Sequence, residues 1–141
     1  QPVLIKGPYG CFERPRRRTS GAQIWIAGGI GITPFLAWLE ELSKIPEASL
    51  QAHLYYCVRN RDTDPFVTRL ESASEQIEGL SVSVISSDRD APLTAATLAR
   101  QNPASAEIWF CGPRQLANSL KTEGRAIGFG TRFHQEAFEM R

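Results

Sequence analysis

Gly28, Gly29 and Gly31 stand between an apolar run and the pair Thr33-Pro34. Glycine adopts positive φ without a Cβ penalty and lets a ligand approach the backbone closely. A helix starting behind such a turn offers unpaired N–H groups and about half a positive charge. Together these features make an anion site, and the expected ligand is a phosphate or pyrophosphate. The spacing is not G-x-G-x-x-G, because Pro34 stands where the third glycine would be. Nor does an acidic residue end the second apolar run, where a ribose-binding Asp or Glu would sit; that position is Arg59. The plainer alternative is a tight turn that needs glycine for geometry alone.

Cys111-Gly112-Pro113 has the same setting, between an apolar run and a helical stretch. In open α/β sheets ligands bind outside the carboxyl ends of strands, where the strand order reverses. If the first and fourth strands are neighbours, Cys111 and the glycine turn flank one crevice. A thiol there could be a nucleophile, but no His is placed by sequence to activate it. A buried Cys acting as a small hydrophobe is the alternative. His53 sits in an apolar run and reads as a satisfied core residue, while His134 is assigned no role.

The elements that must position these groups follow from periodicity. Residues 23–27 read as a strand, followed by a helix over 33–45 with Thr33 as N-cap and Pro34 in its first turn. Phe35, Trp38, Leu39, Leu42 and Ile45 form its apolar stripe, and Pro46 stops it. Strands at 52–58, 81–85, 107–111 and 132–138 alternate with helices at 65–77, 93–100 and from Pro113 to near Gly124. Such alternation predicts a parallel sheet with helices on both faces and right-handed crossovers.

The 141 residues amount to one domain, at about 100–200 residues per domain. With 16 Lys+Arg against 15 Asp+Glu, no strong field singles out nucleic acid as a partner. Cys11, Cys57 and Cys111 are widely spaced without a C-x-x-C pair, so neither a disulfide framework nor a metal site is expected. No apolar run reaches the roughly 18 residues of a membrane span. The start has neither an initiator Met nor a signal pattern, and reads as chain cut from something larger. Arg14, Arg16, Arg17 and Arg18 read as a solvated inter-domain loop; contact with anionic lipid and steering of a dinucleotide are the alternatives.

Four motifs, in order and spacing, carry a resemblance: Gly7-Pro8-Tyr9-Gly10, then Gly28-Gly29-Ile30-Gly31-Ile32-Thr33-Pro34, Cys111-Gly112-Pro113 and Glu136-Ala137-Phe138. The chain resembles, over nearly its whole length, the nicotinamide-binding domain of the ferredoxin–NADP reductase superfamily. Its ending, residues 133–141, looks most like the ferric reductase and NADPH oxidase branch. The resemblance implies an α/β fold, a three-layer α/β/α sandwich with a five-stranded parallel sheet in order 3-2-1-4-5.

It also implies roles. Gly28, Gly29 and Gly31 would bind the dinucleotide pyrophosphate, with Thr33 near the nicotinamide and its ribose. Cys111, Gly112 and Pro113 would hold the nicotinamide ring, Cys111 steering its C4 toward the flavin. Glu136 would line the hydride-transfer site, and Phe138 would cover the isoalloxazine until nicotinamide displaces it, although Glu139-Met140-Arg141 follow it here. Ser87 and Arg89 resemble the pair that NADP-selective members place after the third strand, and Arg59 adds charge nearby. Asp88 argues the other way, and NADPH is favoured over NADH.

FAD would be bound mainly by a barrel absent from this chain, residues 1–20 being its exit and linker and residues 21–141 the nucleotide-binding domain. The implied function is hydride transfer from NAD(P)H to FAD, with electrons passed on. The expected parent is a ferric reductase-like membrane protein with a membrane haem domain, its reductase part on the cytoplasmic face. This piece alone would be soluble and inactive. One alternative is the reductase of a soluble chain feeding an iron–sulfur protein or oxygenase. Another is a non-catalytic nucleotide-binding module, favoured if Cys111 and Glu136 lie far from the glycine turn.

Overall fold

A computed structural model describes residues 21–130 and 132–138, with Ala137 and Phe138 described by their strand pairing alone. The expectations for residues 1–20, among them Gly7-Pro8-Tyr9-Gly10 and the arginines at 14, 16, 17 and 18, lie outside the described residues, as does the ring of Phe138.

The elements run β1 (Gln23–Gly28), α1 (Thr33–Lys44), β2 (Ala52–Val58), α2 (Val67–Gln76), β3 (Leu80–Ser86), α3 (Ala95–Gln101), β4 (Glu107–Pro113), α4 (Arg114–Ile127) and β5 (Phe133–Phe138). The strands form one sheet in the order β3-β2-β1-β4-β5, every neighbouring pair parallel. This is the expected sandwich.

All six residues of β1 are buried, as a central parallel strand covered on both faces requires. Its alternate side chains feed two cores. Trp25 and Ala27 join Trp109 and Cys111 beneath α1 and α2, while Ile24 and Ile26 join Ile108 and Phe110 beneath α3 and α4. Trp25, Phe35 and Trp38 lock α1 onto β1, with ring centroids 4.9–6.0 Å apart. The buried Trp25 indole donates to Gln23 Oε1 at 3.0 Å, so its polar tip is satisfied.

Several boundaries differ from the sequence reading by a few residues, and two of the differences have a physical cause. Thr33 is not the N-cap of α1. A 3-10 turn over Gly29–Ile32 already winds the chain, Ile32 takes the cap position, and the Thr33 hydroxyl donates back to the Ile30 carbonyl at 3.1 Å. And α4 runs through Gly124 to Ile127, ending at Gly128 in the left-handed conformation, φ +73°. Gly124 is needed for closeness, since a Cβ there would stand 2.5 Å from the Phe129 carbonyl oxygen.

Candidate functional site

The strand order reverses between β1 and β4. The chain leaving β1 turns to the α1 face and the chain leaving β4 to the α4 face, so a crevice opens between the two turns. Ala27 pairs with Cys111 in register, which sets Gly28 against Gly112.

Glycine is required here for two separate reasons. A Cβ on Gly31 would lie 2.0 Å from the Cys111 carbonyl oxygen, and one on Gly28 would lie 2.8 Å from Pro113 Cδ. One on Gly112 would meet both Gly28 N and the Phe110 ring at 3.1 Å. These three glycines let the two turns interlock. Gly29 has the opposite surroundings: its φ is +57°, and nothing lies within 4 Å of where its Cβ would be. With exposed Ile30 and Thr33 it forms an open rim at the start of a helical stretch. At Gly29 the backbone carries no side chain, and with a helix N-terminus behind it that opening fits a pyrophosphate.

Cys111 is fully buried, and Glu136 is its register partner on β5, only 6% exposed. Registered neighbours in a parallel pair point to the same face, here the α1 face. The structure therefore brings Cys111 and Glu136 into one row with Ala27, beside the glycine turn. On the same face Trp109 stacks on His134, centroids 4.7 Å apart. His134 in turn contacts Glu107 at 2.5 Å, and Arg132 reaches the same carboxylate at 3.2 Å. This cluster pins the start of β5 to β4, a role the sequence did not suggest for His134.

Arg59, Ser87 and Arg89 are gathered on the other side of the glycine turn, where β2 and β3 end. The two loops are stitched by Ser87 N–H to the Val58 carbonyl at 2.9 Å and Asp88 N–H to the Arg59 carbonyl at 3.1 Å. Buried Ser86 donates its hydroxyl to Asp88 and accepts the Arg61 N–H at 3.0 Å. Arg89 is paired with Asp62 at 2.6 Å and reaches Asp88 at 3.7 Å. These carboxylates, Asp62 first, hold its guanidinium pKa above the ordinary value. Arg61 is likewise paired with Glu71 at 2.7 Å. Asp62 went unnoticed in sequence because its partner lies 27 residues away; the polar run 59–64 after β2 was its only signal.

His53 is half-buried, bonded to Ser83 Oγ at 2.8 Å and stacked on Tyr55 at 4.0 Å, and burial lowers its pKa. Burial pushes the Cys57 thiol up to about 12. Among the described residues no group of His, Cys, Asp or Glu is arranged to hold a metal, and no helix is long and apolar enough to cross a membrane.

Over 137 residues the chain is 32% identical to the heme-dependent oxidative N-demethylase beta subunit of Ectopseudomonas mendocina (strain ymp), covering 96% of this chain and 41% of that one. It is 29% identical over 119 residues to the carnitine monooxygenase reductase subunit of Escherichia coli (strain K12), covering 82% and 35% respectively. The chain thus spans well under half the length of these curated relatives. The FAD/NAD-binding domain of the Vibrio cholerae nitric oxide dioxygenase superposes with a TM-score of 0.75 at 22% identity, over 94% of this chain and 56% of that one, which shows the shared fold.

These relatives do not support the ferric reductase branch read from residues 133–141, nor the membrane haem partner and membrane-face location that came with it. The reason is chemical: in the resemblance a Glu-x-aromatic ending serves the transfer to flavin, a step that precedes the acceptor and carries no information about it. What the comparisons share with the structure is the nucleotide-binding part. Residues 25–122, from β1 across both interlocked turns and into α4, match the family described as the oxidoreductase NAD-binding domain, and the chain belongs to that family.

Proposed function

We propose that the chain is the NAD(P)H-binding half of a flavin-dependent reductase serving an oxygenase component. The observation that carries this reading is the row Ala27, Cys111, Glu136 across β1, β4 and β5, beside the open rim at Gly29. The names of the demethylase and monooxygenase relatives favour an oxygenase as acceptor. A non-catalytic module loses ground because Cys111 and Glu136 lie in one row with the strand that enters the glycine turn.

When bound, nicotinamide supplies the hydride, and a flavin held by a partner domain receives it. The chain's own residues bind and orient. Backbone N–H groups around Gly29, with Gly28 and Gly31 shaping the turn, hold the pyrophosphate, and Thr33 lines the nicotinamide side. Gly112 and Pro113 keep the crevice wall thin, and Cys111 and Glu136 form its floor. Arg59, Ser87 and Arg89 flank the adenosine end. Phe138, registered with Pro113 at the end of β5, is the residue assigned to the flavin side. The catalytic gain is mainly proximity and orientation.

Titration calorimetry of the chain with NADH and NADPH tests the binding half, and anaerobic bleaching of flavin in the longer parent tests transfer. Absence of binding to either dinucleotide would overturn the reading.

A further inference from the structure

The glycine turn lies at the middle of the sheet, with β4 and β5 on one side and β2 and β3 on the other. On the reading above, the nicotinamide occupies the β4–β5 side. A dinucleotide lying across the strand ends must then put its adenosine ribose at the loops 59–64 and 87–90. Those loops hold three arginines, Arg59, Arg61 and Arg89, and four aspartates, Asp62, Asp64, Asp88 and Asp90.

Resemblance alone paired Ser87 and Arg89 with a 2′-phosphate. The side chains are differently engaged. Arg89 donates to Asp62 at 2.6 Å and has Asp88 at 3.7 Å, and Arg61 donates to Glu71 at 2.7 Å. Asp62 is itself presented on a held loop, its N–H donating to Asn60 Oδ1 at 2.9 Å, and its carboxylate is 68% exposed. A carboxylate accepts hydrogen bonds from ribose hydroxyls. It repels a phosphomonoester, which carries about −1.5 to −2 charges.

We propose that Asp62 is a specificity-determining residue: by occupying the Arg89 guanidinium it makes the adenosine end select a free ribose 2′-hydroxyl, and hence NADH, over the 2′-phosphate of NADPH. The inference rests on the dinucleotide-binding reading above. An exposed ion pair contributes little to stability, so the loop fold survives without it. Its effect falls on the charged ligand that must share the same guanidinium.

The test is titration of the chain with NADH and NADPH, and with AMP and 2′-phospho-AMP as fragments of the adenosine end. Wild type is expected to prefer NADH and AMP. Asp62→Asn should shift the NADPH-to-NADH and 2′-phospho-AMP-to-AMP affinity ratios toward the phosphorylated ligand by about fivefold to tenfold. Adding Arg89→Gln to Asp62→Asn should erase that gain, because the released guanidinium produces it. A wild-type preference for NADPH, an unchanged ratio in Asp62→Asn, or a gain that survives loss of Arg89 would each overturn the assignment. Failure of wild type to bind any of the four ligands would instead overturn the underlying reading.

Discussion

Gly31 presses against the backbone of Cys111, so that a methyl group on its α-carbon would stand 2.0 Å from the carbonyl oxygen and 2.6 Å from the carbonyl carbon. Backbone on both sides of a contact cannot move aside as a flexible side chain can. Gly31→Ala is therefore expected to lower stability by about 1–3 kcal/mol, the usual range for overpacking. A urea titration should show a lower midpoint with an unchanged m-value; a wild-type midpoint would mean the turns are not interlocked.

Gly29 gives the complementary case. Its would-be Cβ faces open space at φ +57°, a conformation that Asn tolerates better than other side chains. Gly29→Asn should keep the unfolding free energy within about 1 kcal/mol of wild type yet weaken dinucleotide binding by about tenfold, because the new side chain fills the rim. Undiminished affinity would remove the pyrophosphate from this turn.

Glu136 lies on β5, one strand further from the glycine turn than Cys111, so binding and transfer should separate. In the parent flavoprotein, Glu136→Gln is expected to leave the NADH dissociation constant within about twofold and to slow flavin reduction by about tenfold or more. Stopped-flow reduction under anaerobic conditions measures both. A raised dissociation constant with an unchanged limiting rate would make Glu136 a binding residue only.

The half-buried His53 links stability to pH. Burial lowers its pKa from 6.5, so in mild acid the unfolded chain binds more protons than the folded one. The stability is fully present above about pH 6.5 and falls as pH drops toward the folded-state value. His53→Gln, which keeps a partner for Ser83, should flatten the dependence of the urea midpoint between about pH 7 and pH 5. An equally steep profile in the variant would assign the effect to other groups.

Thiol chemistry should be silent in the native state. Cys111 is fully buried and the Cys57 thiol is pushed up to about 12, so neither offers a reactive thiolate near neutrality. In a Cys11→Ser background, iodoacetamide at about pH 8 should label nothing until denaturant is added. Rapid native labelling of Cys111 would revive the nucleophile alternative.

β1, β2 and β4 were legible as apolar runs and β3 as an alternation of Ser with Val and Ile, and their alternation with helices predicts a parallel sheet. Its order came with the resemblance. The glycine turn and Cys111-Gly112-Pro113 were legible as strand-end motifs. Three things were not. Thr33-Pro34 carries a strong local start signal, which Gly29 overrides by beginning the winding earlier. Gly124 looked like a helix end because its use, tight packing on Phe129, is tertiary. And Asp62 meets Arg89 only once β2 and β3 lie side by side. On the proposed reading the acceptor leaves no mark in these residues, since hydride transfer to flavin would ask the same of the chain whatever follows.

The central position of β1 also governs how the domain assembles during synthesis. β1 finds its first neighbour, β2, within the first half of the chain, but its other edge waits for β4. Until residues 107–113 emerge, a strand with a wholly apolar flank presents unpaired backbone groups, a template for intermolecular pairing. A fragment stopping before Glu107 should aggregate, and the crevice cannot form until β4 has emerged and paired with β1.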